Sequence, residues 1–446
     1  MIDLTNGSPA EKMLKFAVPV CLGNIFQLFY SLADTRIVGS ILGEKSLAAV
    51  GSTTSISTLL IGFLLGLTNG FAIIIAQKFG ERNENEIKKA AAGTIFLGFL
   101  TAVSITAVSL FFLDEILNLL NVSDILYPES KGYIKAILLG ITATMFYNAF
   151  AGILRAVGDT TAPLIFLIVS CLLNIFLDLY FLGILRTGTS GAAWATVISQ
   201  GFSVVLCFVY MWKKYPMFRI KRKDFSFKIE FLKNLYTSGL SMALMMSLVF
   251  FGTLVLQTAI NTFGTNTIVA HTAARKITEF FMLPFSVFGI TMATYCGQNK
   301  GAGKFKRIKE GILKAYFITC VWSLLVIFMS YTIAPQLVYL VTGSRIPEIL
   351  NTAEKYLKVN TIFYFVPGAI SILRNAMQGI GDRFTPVVSS FLELTGKAAV
   401  VIFVVPHTKY FGIIISEPIV WIIMVIPLVV KIIKNPIFQR KNYGSY

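Results

Sequence analysis

Residues 76–89 read AQKFGERNENEIKK, and residues 297–310 read GQNKGAGKFKRIKE. Laid one on the other, Gln77 falls on Gln298, Gly80 on Gly301 and Ile87-Lys88 on Ile308-Lys309. Further sites keep nearly the same offset. Gly43 pairs with Gly264 and Gly191 with Gly412, while RAVGDTTAP (155–163) pairs with QGIGDRFTP (378–386) two residues out of step. A near-constant offset over several sites predicts two tandem copies of one unit. With an even number of crossings in each copy, the repeat is parallel, related by an axis along a membrane normal.

Between these markers the chain is apolar. Hydrophobic residues make up 55% of the 446, charged residues only 14%, and the mean hydropathy is +0.73. A soluble domain carries about 25% charged residues, whereas a helix crossing a bilayer needs roughly 20 apolar residues in a row. Such runs occur near 13–38, 46–76, 88–113, 132–154, 160–185 and 190–212. They recur near 231–262, 268–297, 311–341, 355–379, 384–407 and 410–433. The expected fold is an all-α membrane protein, twelve transmembrane helices in two pseudo-symmetric six-helix bundles around a central cavity. The lobes are placed at 1–212 and 231–433, joined by a basic link at 213–230 and followed by a tail at 434–446. Several spans exceed the bilayer core in length, so Pro19, Pro284, Pro367 and Pro418 are expected as kink points.

The formal charge is +17, which raises nucleic acid as a partner. The basic residues argue against it, because they cluster in alternate links. KFGERNENEIKK (78–89), KKYPMFRIKRKDFSFK (213–228) and KGAGKFKRIKEG (300–311) are basic, as is the tail with Lys431, Lys434, Arg440 and Lys441. The intervening links GSILGEKS, NTFGTNT and FFLDEILNLLNVSDILYPES are poor in Lys and Arg or acidic. That alternation puts the basic links and both termini in the cytoplasm of a cell that carries the protein in its plasma membrane. At the N-terminus, SPAE reads as a helix start, with Ser8 as N-cap, Pro9 in the first turn and Glu11 closing a capping box.

Enzymatic chemistry finds no footing. His271 and His407 are far apart, and Cys21, Cys171, Cys207, Cys296 and Cys320 lie singly in apolar runs. Neither a metal set nor a disulfide framework nor a nucleophile–base pair follows from that spacing. No GxxxxGK[ST] phosphate loop appears, so the chain carries no ATP motor of its own. No cofactor is expected.

The informative residues are the polar ones inside apolar runs. In FQLFYSLADTRIVGS (26–40), Gln27, Tyr30 and Asp34 stand at i, i+3 and i+7, on one helical face. In NIFLD (174–178), Asn174 and Asp178 stand at i and i+4. Tyr133 opens the fourth span and Thr196 lies near the start of the sixth. Given alternating direction, all of these reach a similar depth, in the outer half of the first bundle. A carboxylate in hydrocarbon costs about 2.5–3.5 kcal/mol on insertion scales, so it faces an interior or a wet cavity. Two carboxylates held together in low dielectric resist carrying two negative charges, so a shared proton is their natural use. Oxygens around a sodium ion are the other use. An interfacial pair of Asp34 with Arg36 is the bland alternative.

Other buried charges invite local pairing. Glu393 and Lys397 stand at i, i+4 with the acid first, which reads as a structural ion pair. Arg275 and Glu279 have the same spacing. Glu417, just before Pro418, has no local partner and is left between a helix-kink contact and a cavity role.

YSLADTRIVGSILGEKSLAAVG (30–51), RAVGDTTAP, NIFLDLYFLGILRTGTSGAAWATVISQ (174–200) and GQNKGAG together resemble the multidrug and toxic compound extrusion (MATE) family along nearly the whole chain. The resemblance implies a secondary antiporter, acting as a monomer. It would export amphipathic or cationic organic compounds in exchange for H+ or Na+ by alternating access. It also implies a cation-coupling site at Asp34, Asn174, Asp178 and Thr196, with Gln27, Tyr30 and Tyr133 as accessory or cavity residues. Pro19 matches the proline at which the first helix bends. The rival within the wider superfamily is a flippase for lipid-linked precursors or polysaccharides, which has more spans. Acids found in the seventh and tenth helices of some sodium-coupled members have no counterpart here, which places coupling in the first lobe. Arg36, close to Asp34, favours the charged carboxylate and with it sodium.

Overall fold

The computed structural model describes residues 1–439. Arg440 and Lys441, counted above with the basic tail, lie outside the described residues. Every regular element among those described is helical. The first half comprises α1 (Pro9–Leu42), α2 (Glu44–Gly80), α3 (Glu84–Phe111), the short α4 (Leu113–Leu119), α5 (Tyr127–Leu139), α6 (Ile141–Ala156), α7 (Thr161–Asp178) and α8 (Thr189–Lys214). α9 (Ile229–Ile260) follows, then α10 (Thr265–Gly301), α11 (Phe305–Thr332), α12 (Ala334–Thr342), α13 (Pro347–Ile362), α14 (Phe365–Ile380) and α15 (Phe384–Ala399). The short α16 (Val405–Thr408), α17 (Tyr410–Lys434) and the short α18 (Pro436–Gln439) complete the order. Past their last α-helical residues, α7 and α15 both run on as π-helical turns, Leu179–Ile184 and Val400–Val404.

Ten helical stretches are long and apolar enough to cross a membrane, and two bent pairs bring the number to twelve. The bent pairs are α5 with α6, at 44°, and α13 with α14, at 55°. They occupy matching places in the repeat. The sharp breaks fall at Gly140 and at Phe363-Tyr364, the second one turn before Pro367, where that proline's ring and missing N–H would interrupt a continuous helix. Pro19, Pro284 and Pro418 are carried inside unbroken helices, and Pro367 lies in the first turn of α14, where a missing N–H costs nothing.

The chain folds as two compact units. One comprises Met1–Asp3 and Val18–Ala243, the other Leu4–Ala17 and the chain from Leu244 on. The change of unit falls inside α9, and the 213–230 link belongs to the first unit, with Tyr215 and Phe218 buried in its core. The first core gathers Leu67, Phe71, Ile87, Ile134, Met145 and Phe150 from α2, α3, α5 and α6. The second gathers Phe281, Phe285, Tyr356, Tyr364 and Trp421 from α10, α13, the break before α14, and α17. Large apolar side chains on the outer faces, such as Phe111, Leu172 and Phe328, are exposed, as hydrocarbon contact requires.

Lipid tails are as apolar as leucine, so helices in a bilayer associate through close backbone approach and hydrogen bonds. α2 and the first part of α9 do both. A Cβ on Gly70 would strike the backbone of Ser238 and Gly239, and Ser238 Oγ donates to the Gly70 carbonyl at 2.9 Å.

The repeat is most explicit at the corners before α7 and α15. Gly158 and Gly381 take φ of +82° and +89°, open to glycine at little cost. The aspartate that follows each one caps the next helix. Asp159 Oδ1 accepts from Ala162 N at 3.2 Å, and Asp382 Oδ1 from Phe384 N and Thr385 N at 3.2 and 3.1 Å. Each also pairs with a lysine at the end of its unit's last long helix: Asp159 with Lys214 at 3.4 Å, Asp382 with Lys431 at 3.7 Å. Asp159 further accepts from Tyr210 and Tyr215 at 2.9 and 2.5 Å. Burial alone would raise its pKa, but these hydroxyl donors, the amide and Lys214 hold it below the ordinary 3.8.

At the other end of the sequence pattern, α1 begins at Pro9 as expected. Glu11 turns to Lys15 Nζ at 2.6 Å, where the spacing had predicted a capping box.

Candidate functional site

α1, α5, α7 and α8 supply the polar cluster of the first unit. Asn174 and Asp178 stand one turn apart on α7 and are 1% and 0% exposed. Asp34, on α1, is partly buried, and its carboxyl lies close enough to that of Asp178 for the two to act on each other electrostatically. The Asn174 amide is assigned from its partners. With its nitrogen towards the acids, it donates to Asp178 Oδ2 at 2.8 Å and to Tyr30 Oη at 3.1 Å, while its oxygen accepts from Thr196 N at 2.9 Å. Tyr30 Oη also lies 3.3 Å from Thr196 Oγ1. Tyr133 stands close enough to act electrostatically on both acids and on Tyr30. One oxygen of each acid, Oδ1 of Asp34 and Oδ1 of Asp178, is buried without a hydrogen-bond partner.

Asp34, Asn174, Asp178, Thr196, Tyr30 and Tyr133 thus converge. Gln27 does not join them: it is exposed and makes no hydrogen bond to the group. It shares a face with Asp34, but seven residues of helix separate them by about 10 Å along the axis. Arg36 is exposed, and among the described residues it forms no ion pair with Asp34, which removes the interfacial alternative. Pro19 lies in α1 two residues beyond the point where that helix passes from one unit to the other.

The second unit buries a different set. Arg275 on α10 pairs with Glu417 on α17 at 2.5 Å, and Tyr356 on α13 donates to the other Glu417 oxygen at 3.1 Å. The expected Arg275–Glu279 pair is not made. Lys276 takes Glu279 at 3.2 Å near the surface, and Arg275 turns inward to a buried acid. Glu417, left open by the sequence, therefore has a partner 142 residues away. The Glu393–Lys397 pair forms at 2.9 Å and is extended by Arg374, whose Nη2 lies 3.2 Å from Glu393. His271 Nδ1 meets Tyr410 Oη at 3.1 Å beside this network. Arg374, Tyr356 and His271 carried no local signal. The repeat held one clue, since the offset that sets Arg155 on Gln378 also sets Tyr133 on Tyr356, and the offset of Gly191 and Gly412 sets Thr196 on Glu417.

A family model described as MatE matches residues 19–180 and again 241–404, once in each half. The chain belongs to the MatE family. Over 404 residues it is 28% identical to the probable multidrug resistance protein YoeA of Bacillus subtilis (strain 168), covering 89% of this chain and 87% of that protein. Likeness to a second protein of that strain, the probable multidrug resistance protein YpnP, is also 28%, over 395 residues, with 88% and 87% covered. Among solved structures, a crystal structure of MATE in complex with MaL6 superposes with a TM-score of 0.88 at 25% identity, covering 97% of this chain and 98% of that one. This MatE chain is thus a multi-pass membrane protein of a multidrug efflux transporter family, and not an enzyme.

Proposed function

We propose that this chain is a proton-coupled antiporter that exports amphipathic organic compounds by alternating access. Asp34 and Asp178 carry the proton, and Asn174 and Thr196 orient them. The observation that carries this reading is the closeness of two acids from separate helices, α1 and α7, with no basic side chain paired to either among the described residues. Two neighbouring carboxyl groups in a low-dielectric site favour holding a proton between them, since losing it leaves two adjacent negative charges. Tyr30 and Tyr133 line the same group and limit access to it.

The alternation of basic and non-basic links supports a topology with both termini on the cytoplasmic side of the plasma membrane. Coupling requires the proton to bind one lobe arrangement better than the other, since a ligand shifts an equilibrium only by its differential affinity. Deprotonation of the pair is the event that differs between the two sides of the membrane.

The test is transport in proteoliposomes under an imposed pH gradient or an imposed sodium gradient, with wild type and Asp34→Asn. A pH gradient should drive wild-type export of a fluorescent organic cation, and Asp34→Asn should abolish the drive. Export driven equally well by sodium alone, or untouched by the substitution, would end this reading.

A further inference from the structure

The three basic links differ in what their cations do. In the 78–89 link, Lys78 pairs with Glu81 at 2.9 Å and Lys89 with Glu86 at 3.1 Å. In the 300–311 link, Lys304 donates to the Thr5 carbonyl at 2.9 Å, and Arg307 to the Leu4 and Gly7 carbonyls at 3.1 and 2.7 Å. The link between α8 and α9 leaves its cations open. Lys213, Arg219, Lys221, Arg222, Lys223 and Lys228 are all exposed, and none has an acidic partner among the described residues. The acid inside the link, Asp224, is buried and spends Oδ2 on the Lys221 backbone N–H at 2.7 Å. Glu230, exposed at the start of α9, forms no ion pair among the described residues.

A basic loop kept only to set topology needs charge but no fixed shape. This one is folded onto the first unit. Tyr215 and Phe218 are buried, and Tyr215 donates to Asp159 at 2.5 Å. The Phe227 ring stacks on Phe231 with centroids 6.4 Å apart and lies 6.0 Å from that of Phe96 on α3. Arg219 Nε donates to the Trp212 carbonyl at 3.1 Å, which ties it to the end of α8. Left outside with the cations are three large apolar side chains: Trp212, Phe225 and Ile229 are 54%, 43% and 77% exposed. Both α8 and α9 are long and apolar enough to span a membrane, so the short link between them lies at the bilayer surface. Cations interleaved with exposed aromatic and aliphatic groups are what a headgroup region accommodates.

We propose that the 213–230 link is a binding platform for anionic phospholipid headgroups. Arg222 offers a guanidinium fork that matches phosphate, the lysines beside it add point charges, and Arg219 adds its Nη groups. Trp212, Phe225 and Ile229 reach the boundary between headgroups and acyl chains. A headgroup is met on an open surface, so the platform requires no cavity. The occupant is a lipid and not free phosphate, because an inorganic ion would leave the apolar side chains among the cations uncovered. The platform anchors this end of the first unit to a charged leaflet and takes nothing from the Asp34–Asp178 pair.

The experiment is tryptophan quenching by brominated lipids in the full-length protein, reconstituted into phosphatidylcholine vesicles. The signal of Trp212 is the difference between each protein and its Trp212→Phe counterpart. Brominated phosphatidylglycerol should associate at Trp212 at least about tenfold better than brominated phosphatidylcholine. Arg222→Gln with Lys223→Gln should cut that preference by at least about fivefold, the contribution expected of a single cation near an anionic surface. Lys306→Gln with Lys309→Gln removes the same charge from another basic link and should change the preference less than about twofold. All four side chains are exposed and form no ion pair among the described residues, so the fold does not depend on them. Equal quenching by the two lipids overturns the proposal. So does an equal loss in both double variants, since overall charge and not the platform would then attract the lipid. Displacement of phosphatidylglycerol by inorganic phosphate at matched ionic strength would overturn it as well, by making the link a free-anion site.

Discussion

The two units share one helical plan and bury opposite chemistry. Each has a bent span, a Gly-Asp corner that caps the next helix, a lysine that closes that corner, and a helix that widens into a π turn. Inside that common frame the first unit holds two acids that have no basic partner among the described residues, with Arg155 turned to Asn69 instead, and the second holds three bases with two acids. The frame is set by residues that the backbone needs. The contents are set by side chains that the backbone tolerates. Repetition therefore fixed the scaffold and left the interior of each copy free to carry its own polar side chains.

Substitutions can break that contrast, and the largest effect is expected in the first unit. Asp178→Asn should reduce gradient-driven transport by about a hundredfold or more, as for a general acid–base group. Proteoliposome flux measures it, and a variant with more than a tenth of the wild-type rate would deny the pair its role.

In the second unit the corresponding loss is one of stability. Glu417→Gln strands Arg275 in the interior, and breaking a buried pair costs about 3–5 kcal/mol. The double substitution Arg275→Met with Glu417→Leu should recover most of that, since well-packed apolar residues often replace such a pair without penalty. Reversible unfolding in mixed micelles reads both. No difference between the single and the double variant would mean that the pair is not a coupled unit.

A smaller effect is expected at the corner. Asp159 has a folded pKa below its ordinary 3.8, so its share of stability is fully present above that value and is lost as pH falls through the lower folded value. Asp159→Asn should lose about 1–2 kcal/mol at pH 7. Its thermal midpoint should also fall less steeply than that of wild type below pH 4, which a pH series of melting curves would reveal. Smallest of all, Gln27→Ala should change transport less than about twofold, because an exposed side chain outside the cluster contributes little.

The sequence made the membrane fold legible because hydrocarbon demands long apolar runs and leaves little room for ambiguity. It also made most of the acid cluster legible, since i, i+4 spacing on α7 and i, i+3, i+7 on α1 are local rules. The same local rule misled at Arg275, where Glu279 was near in sequence but lay at the surface beside Lys276. A buried guanidinium needs a buried acid more than a close one, and that acid lay on another helix. Gln27 stands apart from the hydrogen-bonded group, since a shared face says nothing about depth along it. Pro367 was legible for a local reason as well, since a proline interrupts a helix about one turn before itself, and the α13–α14 break at Phe363-Tyr364 lies there.

The widened turns after Asp178 and Ala399 also bear on which lengths of chain this family can tolerate. A π turn holds one residue more than the α-helix it interrupts. Losing a single residue between Leu179 and Ile184 would tighten that turn to ordinary helix and leave everything upstream in register, Asp178 included. The same deletion a few residues earlier would swing the carboxylate by about 100° away from its neighbours. Insertions and deletions in this stretch can therefore be absorbed within one short segment, which spares the Asp34–Asp178 pair while the far end of the helix is remodelled.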